Sequence, residues 1–102
     1  MNPAIWGPPL WHEMHTKTLN YPNNPTIADK INIIQYFNEF KTTLPCEKCK
    51  VHYRNHMLTK PISYYANNRT DLSNWLIDLH NQVNARNGKR ILSYKEAKSL
   101  YL

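Results

Sequence analysis

The sequence predicts an all-α fold: a small four-helix bundle followed by a short fifth helix. In several segments apolar residues recur every three or four positions, which is the spacing of one face of a helix. No segment shows the sustained alternation of a strand, and two glycines are too few for a turn-rich β-sandwich. At 102 residues the chain is near the lower limit for an independent core, so we expect one domain over residues 1–102.

The first two helices are separated by a break that contains two prolines. The first helix is predicted over residues 8–19, with Pro8 and Pro9 tolerated in its opening turn. Residues 21–25 (YPNNP) end it. Thr26 then caps a second helix to about residue 43, whose apolar positions follow the helical period: Ile27, Ile31, Ile34, Phe37 and Phe40.

The third and fourth helices are marked by their start and stop signals. Pro45 opens the third helix, which ends near residues 60–61. Thr70 or Asp71 caps the fourth helix, and Gly88 ends it. The fourth helix carries one apolar stripe: Leu72, Trp75, Leu76, Leu79 and Val83.

The end of the chain predicts a short fifth helix, because Ser93 and Glu96 have the spacing of a capping box. No stretch approaches the roughly 20 apolar residues that a membrane span needs. The first six residues lack the basic segment and apolar run of a signal peptide. We therefore expect no membrane partner and no secretion by the ordinary route.

The formal net charge of +6 raises the question of nucleic-acid binding. The thirteen Lys and Arg residues are scattered, however, and the densest group, residues 86–90, lies at a helix end where cations complement the helix dipole. We do not expect nucleic acid to be the main partner. A non-enzymatic helical module that binds nucleic acid or protein through its charge is the competing hypothesis.

The two cysteines of the chain, Cys46 and Cys49, form a CxxC directly after Pro45, at a predicted helix start. Closing so short a loop removes little entropy from the unfolded chain, so the disulfide would add little stability. The helix dipole, together with Lys48 and Lys50, lowers the pKa of a cysteine there and favours the thiolate. This pattern indicates a redox dithiol.

Other chemistries fit the CxxC less well. A zinc site would use Cys46, Cys49, His52 and His56, but one straight helix spreads these over about 15 Å and cannot surround a tetrahedral ion. Covalent haem needs a histidine after the second cysteine, where Lys50 stands. A thioredoxin fold needs βαβ units, and two surface thiols that occur by chance remain an alternative. We predict no metal site.

Two further clusters suggest a planar polar ligand. His80 and Asn84 share a helix face, and asparagine has only modest helix propensity. Trp11 and His15 are also four apart, so an indole and an imidazole could together stack on and hydrogen-bond a heteroaromatic ring. A solvated helix face and a core tryptophan remain the alternatives. No glycine-rich phosphate loop is present.

These three clusters, in this order, resemble the FAD-linked sulfhydryl oxidases of the Erv/ALR family. The resemblance covers nearly the whole chain, and the matching stretches are residues 6–15 (WGPPLWHEMH), 44–49 (LPCEKC) and 75–84 (WLIDLHNQVN), followed by Gly88 and Lys89. The resemblance implies a four-helix bundle with a short extra helix, which holds FAD beside the CxxC and usually forms a homodimer.

The resemblance also implies an activity and its residues. Electrons would pass from protein dithiols or a thiol shuttle protein to Cys46, then to Cys49, to flavin and finally to O2, which gives a protein disulfide and H2O2. The cofactor FAD would be bound by residues of the first and fourth helices and by Tyr21 after the first helix: Gly7, Trp11, His15, Tyr21, His80, Asn81, Val83, Asn84, Gly88 and Lys89.

The chain also departs from the family pattern. Many members carry a structural disulfide between the fourth helix and the C-terminal segment, where this chain has Ile77 and approximately Ser93. Tyr101 stands in for a late tryptophan near the adenine end. The compact form resembles the oxidases of large cytoplasmic DNA viruses, which implies the host cytoplasm, at viral assembly sites, or the virion. A cellular member would imply the mitochondrial intermembrane space.

Overall fold

Five α-helices make up most of the protein in this computed structural model, which describes residues 2–101. A single 3-10 turn, Ile62–Tyr64, joins the third and fourth helices, and no strand occurs in residues 2–101. The all-α prediction is therefore confirmed. The outer limits of the predicted domain, residues 1 and 102, lie outside the described residues. The helices are α1 (Pro3–Leu19), α2 (Ile27–Thr43), α3 (Glu47–Thr59), α4 (Arg69–Arg86) and α5 (Tyr94–Tyr101).

α1 begins at Pro3, well before the predicted start near Pro8. The side chain of Asn2 caps it by accepting a hydrogen bond from the Ala4 N–H at 3.0 Å, and Pro3 occupies the first helical position. Pro8 and Pro9 therefore lie inside the helix, and the prediction that they form its opening turn is wrong.

Gly7 relieves the steric conflict that Pro8 would otherwise have with the residue before it. The ring of a proline clashes with the Cβ of the preceding residue when that residue is helical. Gly7 precedes Pro8, is helical and has no Cβ. It is also buried, although a Cβ added there would meet nothing within 4 Å.

The other helix ends follow local capping chemistry. Thr26 caps α2 as predicted and also forms a capping box with Asp29, while Ser93 and Glu96 form the predicted capping box at the start of α5. Gly88, with φ +68°, follows the end of α4 in the left-handed conformation that ends many helices. No helix within residues 2–101 combines the length and apolar character needed to cross a bilayer.

The predicted starts of α3 and α4 need correction. Pro45 lies just outside α3, and Cys46 is the residue that caps it. α4 is capped by Asn68 rather than by Thr70 or Asp71, because the Asn68 side chain accepts a hydrogen bond from the Asp71 N–H at 2.8 Å. Several polar residues in this stretch can each serve as a cap, so the local sequence did not distinguish them.

The core forms where α4 packs on the rest of the bundle. Phe37, Leu72, Trp75 and Leu76 are fully buried, and the Trp75 indole N–H donates to the Lys60 carbonyl at 2.9 Å. The predicted stripe on α4 is confirmed except that its last member, Val83, is only half-buried.

The stripe on α2 is only partly buried. Phe37 lies in the core, and Ile34 and Phe40 pack against it. Ile27 and Ile31 are 78% and 55% exposed, so the helical period does not mark a single core face. α2 packs mainly on α3 and the 3-10 turn, which cover one narrow side of it.

Replacing the cap of α4 tests the revised boundary. Asn68→Ala should lower the free energy of unfolding by about 1 kcal/mol, because the Asp71 N–H loses its acceptor. Thr70→Ala, an exposed change in the first turn of the same helix, should alter it by less than about 0.5 kcal/mol. Denaturant unfolding measures both changes. A larger loss of stability in Thr70→Ala than in Asn68→Ala would show that Thr70 is the cap.

Candidate active site

The dithiol occupies the first turn of α3. Cys46 is the N-cap residue, in extended conformation, and its Sγ accepts a hydrogen bond from the Cys49 N–H at 3.2 Å. Both cysteines are free thiols and both are partly buried. Cys49 packs against the hydrophobic core, whereas Cys46 precedes the first residue of the helix.

The two thiols have opposite pKa shifts. Hydrogen bonds from the Cys49 thiol and the Cys49 N–H, with a smaller contribution from Lys48, lower the pKa of Cys46. Burial, followed by the hydrogen bond and charge of Cys46, raises the pKa of Cys49 to about 11. The expected lowering of the pKa is therefore found for Cys46, but its main cause is Cys49 and, of the two lysines, only Lys48 contributes. For Cys49 the expectation is wrong, because burial and Cys46 raise its pKa.

A stacked group of rings brings α1, α4 and α5 together. The Trp11 and His80 rings are nearly parallel, with centroids 3.8 Å apart. The Tyr101 ring stacks on His15 at 4.2 Å. A hydrogen bond of 2.9 Å joins His15 Nε2 to His80 Nδ1. The two clusters that the sequence placed on separate helices thus form one ring cluster: Trp11, His15, His80 and Tyr101.

Both histidines of the ring cluster are neutral at pH 7. Burial, then the nearby His80 and His12, lower the pKa of His15 to about 3. Burial and the charge of Lys89 lower the pKa of His80 to about 4. In the pair one imidazole donates through N–H and the other accepts, so the cluster offers planar, uncharged hydrogen-bonding groups.

The remaining predicted cofactor residues of α4 lie at its C-terminal end. Val83 and Asn84 are half-buried, while Gly88 and Lys89 are exposed just beyond the helix. The Lys89 N–H donates to the Asn84 carbonyl at 2.8 Å, which folds this segment back over the helix end.

Asn81 and Tyr21 have polar groups that already bond within the protein. The Asn81 amide donates to the Leu92 carbonyl at 2.8 Å and accepts from the Leu92 N–H at 3.0 Å, so it holds the segment before α5. The buried Tyr21 hydroxyl donates to the Ala66 carbonyl at 2.8 Å. Both side chains position the backbone, a role that sequence reasoning did not identify.

The antiparallel pairing of α3 and α4 brings the dithiol toward this end of α4. Burial, followed by the charges of Arg86 and Lys48, lowers the pKa of His52, so Arg86 lies near it. Two polar contacts join the helices, each one turn from the next. Gln82 Nε2 lies 3.2 Å from His56 Nδ1, and Lys60 Nζ lies 3.2 Å from Asp78 Oδ2. The CxxC, one turn before His52, therefore lies at the same end of the bundle as the C-terminal end of α4.

His56 is a buried histidine that sequence reasoning considered only as a zinc ligand. It lies between α3 and α4, with its ring 5.1 Å from that of Trp75, and its Nε2 has no hydrogen-bond partner within residues 2–101. It turns toward Gln82 rather than toward the cysteines. No sequence signal distinguished it from an exposed helical histidine.

Comparison with known proteins places this geometry in a family. The sequence profile described as the Erv1 / Alr family matches residues 8–101. A protein of Acanthamoeba polyphaga mimivirus, named as a probable FAD-linked sulfhydryl oxidase, is 40% identical over 98 residues, which are 95% of this chain and 68% of that protein. The FAD-linked sulfhydryl oxidase of African swine fever virus is 32% identical over 96 residues, which are 94% and 79% of the two chains.

Solved structures agree on the fold. The FAD binding domain of Erv1 from Saccharomyces cerevisiae superposes with a TM-score of 0.91 at 23% identity, covering 99% of this chain and 94% of that one. The yeast Erv1 core gives a TM-score of 0.86 at 23% identity, covering 93% and 79%. The profile match over most of the chain, the viral relatives and the shared bundle lead to one conclusion: this chain belongs to the Erv1/Alr family.

Proposed function

We propose that this chain is an FAD-linked sulfhydryl oxidase that forms disulfides in protein substrates. The observation that carries the proposal is a redox dithiol at the start of α3 in a bundle whose α1, α4 and α5 together form a neutral ring cluster. Viral relatives with the name FAD-linked sulfhydryl oxidase support it. The activity is thiol oxidation. We also propose which residues carry it out, that O2 is the electron acceptor, and which proteins are the partners.

The residues of the site fit FAD. Trp11, His15 and His80 offer flat faces and neutral hydrogen-bonding atoms of the kind that a heteroaromatic ring requires. The buried Trp6 indole N–H has no partner within residues 2–101, and the space beside buried Gly7 would accept a Cβ without contact. Buried polar groups without partners are uncommon, and a ligand would satisfy one here.

We assign cofactor contact to residues of α1, of α4 and of the segment just after α4: Gly7, Trp11, His15, His80, Val83, Asn84, Gly88 and Lys89. Tyr21 and Asn81 belong to the same site as positioning residues, because their polar groups are bonded within the protein. Lys89 would supply positive charge for phosphate oxygens. When bound, FAD accepts two electrons from the dithiol and delivers them to O2, which yields H2O2.

Substrate oxidation begins at Cys46 when Cys46 and Cys49 are joined as a disulfide. A substrate thiolate attacks the Cys46 sulfur, a mixed disulfide forms and the Cys49 thiolate leaves. The second substrate thiolate then attacks the substrate sulfur of the mixed disulfide and releases Cys46. The substrate loses two electrons and two protons in total, and the Cys46–Cys49 pair gains them.

We further propose a viral setting and a dimer. Relatives come from large DNA viruses and from mitochondria, and the mimivirus and African swine fever virus proteins share more identity with this chain than the mitochondrial protein of Schizosaccharomyces pombe does. The host cytoplasm, where such viruses assemble, or the virion is the proposed location. Protein dithiols or a separate shuttle protein are the proposed partners. The exposed Ile27 and Ile31 on α2 support a symmetric dimer through α1 and α2.

The first test concerns the cofactor. The purified chain should carry about one non-covalent FAD per subunit and show flavin absorbance. Asn84→Ala should weaken FAD retention by about tenfold, because a half-buried amide would no longer bond the cofactor. Asn87→Ala, an exposed change at the cap of the same helix, should leave retention within about twofold. A colourless chain that takes up no added FAD would refute the proposal.

The second test separates the roles of the two cysteines. In Cys46→Ala two of the causes that raise the pKa of Cys49 are lost, and its thiolate should give a long-wavelength absorption band with oxidised flavin. The band should grow as pH rises through the pKa of Cys49 and fade as pH falls, since only the thiolate contributes. Cys49→Ala should lack the band and trap a mixed disulfide at Cys46. If the band appeared in Cys49→Ala and not in Cys46→Ala, Cys49 would be the cysteine that reacts with substrate and Cys46 the one that reacts with flavin.

The third test concerns the dimer. Ile27→Asp with Ile31→Asp should convert the chain to a monomer at micromolar concentration, because burying two carboxylates in an interface is strongly unfavourable. Leu58→Asp on α3, where Leu58 is 78% exposed, is the control and should remain dimeric. Light scattering distinguishes the two, and a monomeric unsubstituted chain would contradict the proposal.

A further inference from the structure

Positive charge is concentrated around the dithiol. Four basic residues, which we call the basic rim, are Lys41, Lys48, Arg54 and Arg86. Arg54 Nε donates to the Lys41 carbonyl at 2.9 Å, which joins α3 to the last turn of α2. Lys48 contributes to the low pKa of Cys46, and Arg86 and Lys48 both act on His52, one turn after Cys49.

No carboxylate within residues 2–101 forms an ion pair with the rim, although, after the hydrogen bond and charge of Lys50, the charge of Arg54 contributes a little to the lowered pKa of the Glu47 carboxyl. The ion pairs found in residues 2–101 are Lys50–Glu47, Lys60–Asp78 and Arg90–Glu96, and none includes a rim residue. Glu47, the one carboxylate on α3, is held by Lys50 at 2.9 Å. Glu13 accepts from the Tyr36 hydroxyl, while Asp29 and Asp71 lie at the starts of α2 and α4. Glu39 on α2 is the remaining acidic residue.

Helix stability does not explain the whole rim. Lys41 and Arg86 lie in last turns, where a cation complements the helix dipole. Lys48 lies in the first turn of α3, where a cation opposes the dipole, and Arg54 lies in the middle of that helix. Arg54 has a structural role through its hydrogen bond to the Lys41 carbonyl in the last turn of α2, whereas Lys48, the rim residue next to the dithiol, has no stabilising role at a helix end.

The position of the rim favours an acidic protein segment over a nucleic acid. The rim adjoins a reactive thiol, and the group that must approach Cys46 is itself an anionic thiolate. Acidic residues beside that thiolate would also be attracted to the basic rim. This attraction raises the rate at which the substrate encounters Cys46. Base stacking would need exposed aromatic side chains near the rim, whereas the exposed aromatic residues Tyr64 and Tyr94 lie on the 3-10 turn and at the start of α5.

We infer that the basic rim makes this chain select dithiols flanked by acidic residues, in substrate proteins or in a shuttle. The inference rests on the proposed function, since it names the substrate class of the same site. It deepens that function by giving the surface around Cys46 a role in choosing among dithiols.

Three peptides and one small dithiol test it with the FAD-loaded chain. The peptides carry one CxxC flanked by Asp and Glu, by Gln, or by Lys, and dithiothreitol is the uncharged reference. Oxygen consumption gives kcat/KM for each. The acidic peptide should exceed the Gln peptide by about five- to tenfold at 10 mM salt, where screening extends to about 30 Å, and by less than about twofold at 0.5 M. The Lys peptide should be the slowest.

Substitution of the rim should reduce the preference itself. In Lys48→Gln with Arg54→Gln the ratio of acidic to Gln peptide should fall to less than about half its original value. Lys48→Gln alone, which removes no hydrogen bond seen in the structure, should lower the ratio in the same direction. Lys95→Gln with Lys98→Gln on α5 removes equal charge away from the dithiol and should leave the ratio unchanged.

The outcomes separate the two proposals. Failure to oxidise dithiothreitol would overturn the proposed function, whatever the peptides show. Oxidation of dithiothreitol with equal rates for the acidic and Gln peptides would overturn only the role of the rim. Micromolar binding of a single-stranded oligonucleotide at 150 mM salt, together with no peptide preference, would make the rim a nucleic-acid surface and would also overturn it.

Discussion

Burial of α4 determines where the other helices lie. Leu72, Trp75 and Leu76 exclude solvent completely, and the Trp75 indole N–H bonds the Lys60 carbonyl at the end of α3. α1 and α5 pack against α4, while the polar contacts with α3 set an antiparallel register. A bundle of this size has one core, so a change in this helix would move both halves of the site.

The same burial sets the electrostatics on both sides of the site. Desolvation lowers the pKa of His15 and His80 and keeps both imidazoles neutral. Desolvation also raises the pKa of Cys49, while Cys46 at the helix cap receives hydrogen bonds that favour its thiolate. The thiolate is thus favoured at Cys46, where exchange with a substrate can occur, while Cys49, His15 and His80 stay uncharged.

Stability and function share several residues. Asn81 uses its amide on the Leu92 backbone and so holds the segment that leads to Tyr101, a member of the ring cluster. Gly7 lets Pro8 follow it inside α1 and leaves space beside the helix. Asp78, in turn, accepts a hydrogen bond from the Tyr94 hydroxyl at 2.8 Å, which joins α4 to the start of α5.

Local chemistry determined much of this protein from the sequence alone. The capping boxes at Thr26 and Ser93, the end of α4 at Gly88 and the dithiol at a helix start each depend on residues within one turn of each other. The tertiary structure decided what depends on distant neighbours. His15 and His80 meet across 65 positions of sequence, and burial against the core gives Cys49 its raised pKa. Ile27 and Ile31 have helical spacing but stay exposed because no helix within residues 2–101 covers them. A period defines a face of a helix, and only packing decides whether that face is buried.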